Sequence, residues 1–410
     1  MLDFKHSSKS QKYDLCIVGG AGRVGLPLAV VFALKGVKTV IYDLNKEALS
    51  QISAGVFPFK ENQGPESLKQ ALENKTLFTS DSAEAIKDSK LVLLVVGTPI
   101  DEYLNPDFKA IMGVIKNYFD YFSDDQVLIL RSTVYPGTSK KVQKYFEGQG
   151  KKIKVAFCPE RIAEGKAIDE LMSLPQIISA FDQNTEKVAY DLFNKITDKL
   201  VTVKPMEAEL AKLFTNAWRY ISFAASNQFY MIAESFGADY GAIYQAMTQD
   251  YDRAKNLPGA GFAAGPCLLK DTMQISAFSN NNFSLGQAAM LVNEGLPKFV
   301  IEVVKKKLQA SNSITKLGYI NVGILGMAFK RESDNKRDSL SYKLKKIAEF
   351  EFGTVRCHDV YIKDEALLSL DEVLDKSDVV ILATPHKDYK KIDPKKYPKK
   401  IFIDVWGFWR

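Results

Sequence analysis

Apolar positions along the chain fall into two rhythms. Short, continuous apolar runs recur at residues 13–18, 38–42, 91–96, 127–130 and 154–157, and again at 321–325, 354–358, 379–383 and 401–406. Runs of this length without polar alternation predict strands buried on both faces, as in parallel sheets covered by helices. The other rhythm is helical. Residues 26–34 read as an apolar helix, with Pro27 tolerated in its first turn. A long helix begins at Glu207, where Leu210, Leu213, Phe214, Ala217 and Ile221 recur at helical spacing. It continues through Gln228 and Glu234 to Gly237, which reads as its C-cap. A helix this long spans two domains or forms a dimer surface. Residues 288–308 form another helix, and the Ser/Asn-rich stretch 310–316 marks a boundary before a second α/β unit.

The first apolar run leads straight into Gly20-Ala21-Gly22-Arg23-Val24-Gly25, a G-x-G-x-x-G. Alone this is a weak signal. With a strand before it, a helix after it and an acid, Asp43, at the end of the next strand, it is the fingerprint of a dinucleotide site. The glycines permit a tight turn and close approach of a pyrophosphate to the helix N-terminus. Asp43 would accept hydrogen bonds from the adenosine ribose and repel a 2′-phosphate, which favours NAD over NADP. The plain alternative is a Gly-rich turn. Later strands end at Gly97-Thr98-Pro99, Arg131-Ser132-Thr133 and Cys158-Pro159-Glu160. Groups just past the carboxyl ends of strands outline the mouth of a site in a doubly wound sheet. The following segment 161–167, RIAEGKA, adds Glu164.

Three further places carry candidate chemistry. On the long helix, Lys212 and Asn216 lie four apart on a stripe away from the apolar one, where together they could address a substrate hydroxyl, or could be a solvated face. The stretch 252–272, DRAKNLPGAGFAAGPCLLKDT, is too rich in Gly and Pro for an ordinary helix or strand and reads as a loop that presses close to a ligand. Cys267 follows, then Lys270 and Asp271: a thiol beside a base and an acid, as an activated nucleophile needs. The alternative is a structural cysteine behind a mobile loop. In the second unit, Lys330 and Arg337 fall on the loop and helix start after the first strand, a good place to grip phosphate, the alternative being plain surface charge.

Composition narrows the class. At 410 residues, with 46% apolar and 25% charged content, the chain is an ordinary globular one of two or three domains. A net charge of +6 over this length, without a long basic run, does not imply nucleic acid. Four scattered cysteines (Cys16, Cys158, Cys267, Cys357) form neither a disulfide framework nor a metal spacing and fit a reducing cytoplasm. Three unpaired histidines argue against a zinc site. No apolar run has transmembrane length, and residues 1–10 read as a frayed leader.

Taken in order, GAGRVG, VVGTP, STVYPGT, CPERIAEGKA, ELAKLFTNAWR, GFAAGPCLLKD, GMAFK followed by D-x-x-R-x-S, ATPH and the closing DVWGFW resemble the nucleotide-sugar 6-dehydrogenases, among them the UDP-glucose and UDP-N-acetylhexosamine enzymes. The resemblance covers nearly the whole chain. It implies an α/β fold of two Rossmann-like doubly wound parallel-sheet domains joined by a long central helix. Residues 1–203 would bind NAD, 204–312 would carry the dimer surface and the cysteine, and 313–410 would bind the UDP-sugar. The implied partners are a nucleotide sugar and a second copy of the chain, in the cytoplasm, with no nucleic acid and no membrane.

The implied reaction is a four-electron oxidation of the sugar C6 alcohol to a carboxylate, with two NAD reduced. Lys212 and Asn216 would sit at the C6 oxygen. Cys267 would trap the aldehyde as a thiohemiacetal, later a thioester, with Asp271 activating thiol or water and Glu160 and Thr133 organising that water. The resemblance further assigns Gly20, Gly22, Arg23, Val24, Gly25, Asp43, Thr98, Thr133, Lys270 and Arg337 to the cofactor. It assigns Glu160, Arg161, Glu164, Lys212, Asn216, Arg253, Gly261, Phe262 and Lys330 to the substrate. The pattern also departs from the family: GFAAGPC is a residue longer than the usual GFGGSC, Pro266 and Thr272 stand where N-acetylhexosamine enzymes often have His and Pro, and Asp334-Asn335 replaces two acids. These differences bear on which sugar is taken. Two other readings are a β-hydroxyacid dehydrogenase, which needs neither the cysteine nor the second α/β unit, and an inactive nucleotide-sugar-binding protein.

Overall fold

Parallel strands joined by crossover helices build both halves of the chain. The computed structural model describes residues 11–97, 108–263, 265, 267–311 and 316–409. The leader 1–10, Thr98, Pro266 and residues 312–315 of the expected boundary lie outside these residues. Two compact units are present, Met1–Phe214 and Thr215–Arg410.

The first unit runs β1 (Tyr13–Val18), α1 (Gly25–Leu34), β2 (Thr39–Tyr42), α2 (Lys46–Ser53), α3 (Gly64–Glu73), β3 (Leu77–Ser80), α4 (Glu84–Lys87), β4 (Ser89–Leu94), α5 (Phe108–Asn117), β5 (Val127–Leu130), α6 (Thr138–Gly148), β6 (Lys154–Phe157), α7 (Ala167–Ser173), β7 (Gln176–Ile178), α8 (Gln183–Phe193) and β8 (Leu200–Thr202), and then enters α9 (Pro205–Ser235). Its six-stranded sheet has the order β3-β2-β1-β4-β5-β6 and is parallel throughout. The strands are continuously apolar because both faces are covered. Leu15, Ile17, Ile41, Leu93 and Ile129 enter one core, and Cys16, Val18, Val40, Val92 and Leu128 the other. Strand order reverses between β1 and β4, and that switch point is where such sheets bind ligands. Helix α1 is apolar all round because it is buried all round, against α3 and α7.

The second unit continues α9 and adds α10 (Tyr240–Thr248), α11 (Leu268–Phe278), α12 (Ser284–Ala310), β9 (Asn321–Leu325), α13 (Leu340–Glu351), β10 (Thr354–His358), α14 (Leu370–Lys376), β11 (Val379–Leu382) and β12 (Ile401–Asp404). Its four-stranded parallel sheet has the order β10-β9-β11-β12. Gly237 ends α9 at φ +67°, and the Gly237 and Ala238 N–H groups donate back to Glu234 O (3.2 Å) and Ala233 O (2.9 Å). The chain is therefore α/β, with two Rossmann-like sheets joined by a long central helix.

Two expectations change. Phe214, read as part of the buried stripe, is 52% exposed, whereas Leu213 and Ala217 are buried. A one-residue step around a helix turns a side chain by about 100°, so both neighbours in a Leu-Phe pair cannot face one core. The segment 268–272, read as the end of a loop, is the first turn of α11.

Candidate active site

The glycine loop of the first unit is shaped by backbone crowding. Gly19 adopts φ +77°, and a Cβ there would lie 2.0 Å from Val95 O. At Gly25 a Cβ would lie 2.6 Å from Gly19 O and 2.7 Å from Gly20 Cα, so the start of α1 sits directly on the turn. Gly22 is different: its Cβ would meet only Gly19 O at 3.6 Å, leaving that side of the loop approachable. Helix α1 has no acid in its first turn and no side-chain cap, so its N-terminal partial charge is left for an anion. Asp43 closes the loop from the end of β2, accepting the Ala21 N–H at 3.0 Å and the Asn45 N–H at 3.0 Å. Arg23 lies 4.9 Å over the Phe59 ring and 3.9 Å from Glu164, joining the glycine loop to segment 161–167. This donor set fits a dinucleotide: a cradle, a helix start and an acid one strand away. Val24 precedes α1.

Beside it, the ends of β5 and β6 are locked by a buried ion pair that sequence reading missed. Arg131, fully buried, donates Nε to Glu160 Oε2 at 3.0 Å and Nη2 to the same oxygen at 2.5 Å. It also donates to Gln176 Oε1 and to the Cys158 carbonyl. The other Glu160 oxygen accepts the backbone N–H of Arg161 (2.7 Å) and of Ile162 (3.0 Å). Glu160 thus shapes the start of segment 161–167. Burial lowers the pKa of the Arg161 guanidinium from its usual value, and its side chain donates to the Pro175 carbonyl. Glu61 holds the other end of the segment through the N–H groups of Gly165 and Ala167. Ser132 Oγ staples Val96, accepting its N–H and donating to its carbonyl, each at 2.8 Å. Thr133 follows, half-buried.

On α9, Lys212 is half-buried and Asn216, one turn on, is buried. Asn216 Nδ2 donates to Asp271 Oδ2 at 2.5 Å, and Lys270 Nζ lies 2.9 Å from Asp271 Oδ1. Asp271, fully buried, occupies the first turn of α11, and its N–H donates to the Cys267 carbonyl at 2.9 Å. Cys267 is the residue that starts this helix, and it is exposed. The N-terminal partial charge of α11 favours an anion there. The other three cysteines are buried. Burial pushes the thiol of Cys158 up to about 12 and that of Cys357 to about 11, and raises Cys16 as well. Cys267 is the exposed thiol among them. The loop before it is pinned by Asn227, whose Oδ1 accepts the Gly261 N–H at 2.8 Å and whose Nδ2 donates to Asn293. Phe262 is buried beside Gly261, and Arg253 is exposed on the segment after α10.

In the second unit, Lys330 is half-buried and Arg337 exposed on the loop between β9 and α13, with the Arg337 N–H donating to Asn335 Oδ1 at 3.0 Å. This loop repeats the geometry of the glycine loop. Gly326 adopts φ +90°, and Asp359, at the end of β10, accepts the N–H groups of Met327 (2.6 Å) and Ala328 (2.9 Å) as Asp43 accepts that of Ala21. Asp359 was not singled out from the sequence. The same position in the first unit, just past the second strand, was the signal available.

A glycine cradle at a sheet switch point, an acid beside it and a second unit of the same design define an NAD-dependent oxidoreductase with two nucleotide-binding folds. Family models agree. The NAD binding, central and UDP binding domains of the UDP-glucose/GDP-mannose dehydrogenase family match residues 14–197, 206–295 and 323–410. The chain belongs to this family, and oxidises a UDP-sugar with NAD. It is 29% identical to the UDP-N-acetyl-D-mannosamine dehydrogenase of Pyrococcus horikoshii over 94% of this chain and 93% of that protein. A solved structure of the P. horikoshii UDP-D-ManNAc dehydrogenase superposes with a TM-score of 0.88 at 26% identity, covering 95% of this chain and 93% of that one. A UDP-glucose dehydrogenase from Pyrobaculum islandicum gives a TM-score of 0.87 at 25% identity, covering 98% and 99%. Among the described residues no cluster of His, Cys, Asp or Glu could hold a metal ion, and no helix is long and apolar enough to cross a membrane.

Proposed function

We propose that Cys267 is the nucleophile of a four-electron oxidation that converts the C6 alcohol of UDP-N-acetyl-D-mannosamine to the uronic acid. The observation that carries this reading is an exposed thiol at the start of α11, one turn from a buried Asp271 held by Asn216. NAD, when bound, accepts the hydride in each of the two oxidations. Gly20, Gly22, Val24 and Gly25 would form its cradle, and Arg23, Asp43, Thr98, Thr133, Lys270 and Arg337 are also assigned to it. Lys212 and Asn216 stabilise negative charge on the C6 oxygen as the hydroxyl proton passes to water and the hydride leaves C6. Cys267 Sγ then adds to the aldehyde carbon, the oxygen taking the thiol proton. Loss of that proton and a second hydride leaves a thioester. Water attacks it, its oxygen remains on C6, the C–S bond breaks and the thiol is restored. Asp271 takes the proton from that water. Thr133 and Glu160, the latter fixed by Arg131, are assigned to organise it. Arg161, Glu164, Gly261, Phe262 and Lys330 are assigned to the sugar and its nucleotide, and Arg253 to the same substrate from across the dimer.

The choice of sugar rests on the name of the P. horikoshii relative, and UDP-glucose is the second reading, from the P. islandicum neighbour. The protein works in the cytoplasm as a homodimer. The domain division 1–203, 204–312 and 313–410 is part of the same reading. The test is to follow NADH to its endpoint with UDP-N-acetyl-D-mannosamine, UDP-glucose, UDP-N-acetylglucosamine and GDP-mannose in parallel. We expect two NADH per sugar and a gain of one carboxylate with the first. Cys267→Ser is expected to lower uronate formation by roughly 100-fold or more, in line with the loss of an activated catalytic group. A variant that still forms two NADH per sugar at the wild-type rate rules out the thiol as nucleophile. One NADH per substrate in the wild type points instead to β-hydroxyacid-type chemistry.

A further inference from the structure

The segment that carries Cys267 is built from Gly, Ala and Pro and has few side chains with which to hold itself. Its described residues rest on two aromatic rings of the second unit. At Gly261, φ is +152°, and a Cβ would lie 2.3 Å from Cε3 and Cζ3 of Trp406, whose Nε1 is tied to the Ala383 carbonyl at 3.1 Å. At Gly265, two residues before the thiol, φ is +105°, and a Cβ would lie 2.4 Å from Cδ2 and 2.7 Å from Cε2 of Phe329. The backbone there is pressed onto the ring with no room for a side chain. The Gly265 N–H also donates to Asp338 O at 3.2 Å.

Phe329 and Asp338 belong to one closed loop, since the Phe329 N–H donates to Asn335 O at 3.0 Å. That loop is itself over-determined. Glu332 and Asp338 hold φ values of 58° and 52°, a region unfavourable for side chains that persists only where surroundings enforce it. The surroundings are on view. Thr384 Oγ1 donates to Ala328 O at 2.6 Å, and the Glu332 N–H donates to His386 Nδ1 at 3.0 Å. His386, fully buried, therefore carries its proton on Nε2, which faces Asp359 Oδ2 at 3.2 Å. Glu332 Oε2 accepts from the Tyr361 hydroxyl and Oε1 from the Lys387 N–H.

We propose that Phe329 is a positioning residue for Cys267: its ring, fixed by the Asp359–His386 clasp around the loop after β9, sets the backbone at Gly265 and so the place of the thiol. The inference rests on Cys267 being the nucleophile. Lys330 is the next residue, so the loop that presses on the cysteine segment is the loop read as meeting the sugar.

The experiment compares wild type with Phe329→Ala, Phe329→Leu and the conservative Phe329→Tyr, each first shown to bind NAD within twofold of wild type. Two readouts are taken. The first is the rate of Cys267 alkylation by iodoacetamide, followed on the Cys267 peptide by mass spectrometry. The second is NADH formed per UDP-N-acetyl-D-mannosamine or UDP-glucose consumed. A displaced thiol still permits the first oxidation but traps the aldehyde poorly. We therefore expect Phe329→Ala to change the alkylation rate at least threefold, lower uronate formation about 10–100-fold, as misplacement of a reacting group does, and drop the yield towards one NADH per sugar with free aldehyde released. Phe329→Tyr should restore all three. If Phe329→Ala does not fold, Phe329→Leu keeps the apolar volume but loses the flat ring and should show the same direction. Alkylation within threefold of wild type in the folded variant, or a yield of two NADH with uronate formation within threefold, overturns the proposal. A Cys267→Ser enzyme that still gives two NADH per sugar at the wild-type rate would instead overturn the nucleophile assignment, with the alkylation readout of the Phe329 variants unaffected.

Discussion

Single carboxylates do much of the positioning in this protein, by accepting backbone N–H groups at loops and helix starts. Asp359 is the most heavily used: besides Met327 and Ala328 it accepts the N–H groups of Tyr361 (2.7 Å) and Ile362 (3.0 Å) through Oδ1. Burial on its own would raise its carboxyl, but the His386 hydrogen bond and these backbone donors outweigh it and hold the group well below the ordinary 3.8. A depressed folded-state value means the contribution to stability is present above the unfolded value and is lost as pH falls through and below it. Asp359→Asn keeps the shape but turns an amide towards N–H donors, so it should cost about 2 kcal/mol or more at neutral pH. The gap in urea midpoint between wild type and variant should narrow from pH 5 to pH 2.5. A gap of constant size would mean that the charge of Asp359 contributes nothing. The residue roles divide in their legibility. Asp43 announces itself by its distance from the glycine motif. Arg131 does not, because its partner Glu160 lies 29 residues away, and nothing local tells a buried arginine from one at a loop mouth.

At the scale of elements, helix ends are held by acids from distant segments. Glu209, buried on α9, accepts the N–H of Gly137 (2.5 Å) and of Ser139 (2.8 Å) and the Ser139 hydroxyl (2.7 Å). It caps the start of α6, where the helix charge favours an anion. Removing it orphans three donors, so Glu209→Ala should lower stability by about 2–3 kcal/mol in urea unfolding, with the m-value unchanged. A loss under 0.5 kcal/mol would show that water replaces the cap. The central strands were readable because continuous apolar runs follow from burial on both faces, and β1, β5, β6, β9 and β10 keep their expected limits. Surface helices α2, α3, α6 and α8 were not read. Their apolar positions are few and set among polar ones, and their start signals, such as Asp182 accepting from Thr185 N, are short-range. Strand β8 spans three residues, two of them exposed, which leaves no pattern to find.

At the scale of the molecule, α9 carries an apolar stripe that is exposed among the described residues. Phe214 and Trp218 lie one turn apart, 52% and 70% exposed, and Phe236, the residue just past the helix's C-terminal end, is 83% exposed. Phe229 and Ile232 are exposed between them, and the spacings 4, 11, 3 and 4 keep all five on one side of the helix. Aromatic side chains left in water along a single line mark an interaction surface. A second copy is the partner we propose, since a closed two-fold dimer pairs one patch with itself. In such a dimer each substitution acts twice. Trp218→Asp with Phe236→Asp places unpaired carboxylates in a dry interface, and at about 3–5 kcal/mol for such a charge the association should weaken by roughly 100-fold or more. Sedimentation velocity should then show a dimer for wild type at micromolar concentration and a monomer for the double variant, with the far-UV spectrum preserved because both positions face solvent in the single chain. A wild-type monomer at that concentration, or a variant that remains dimeric, would assign the stripe to another partner and place the dimer contact elsewhere on the chain.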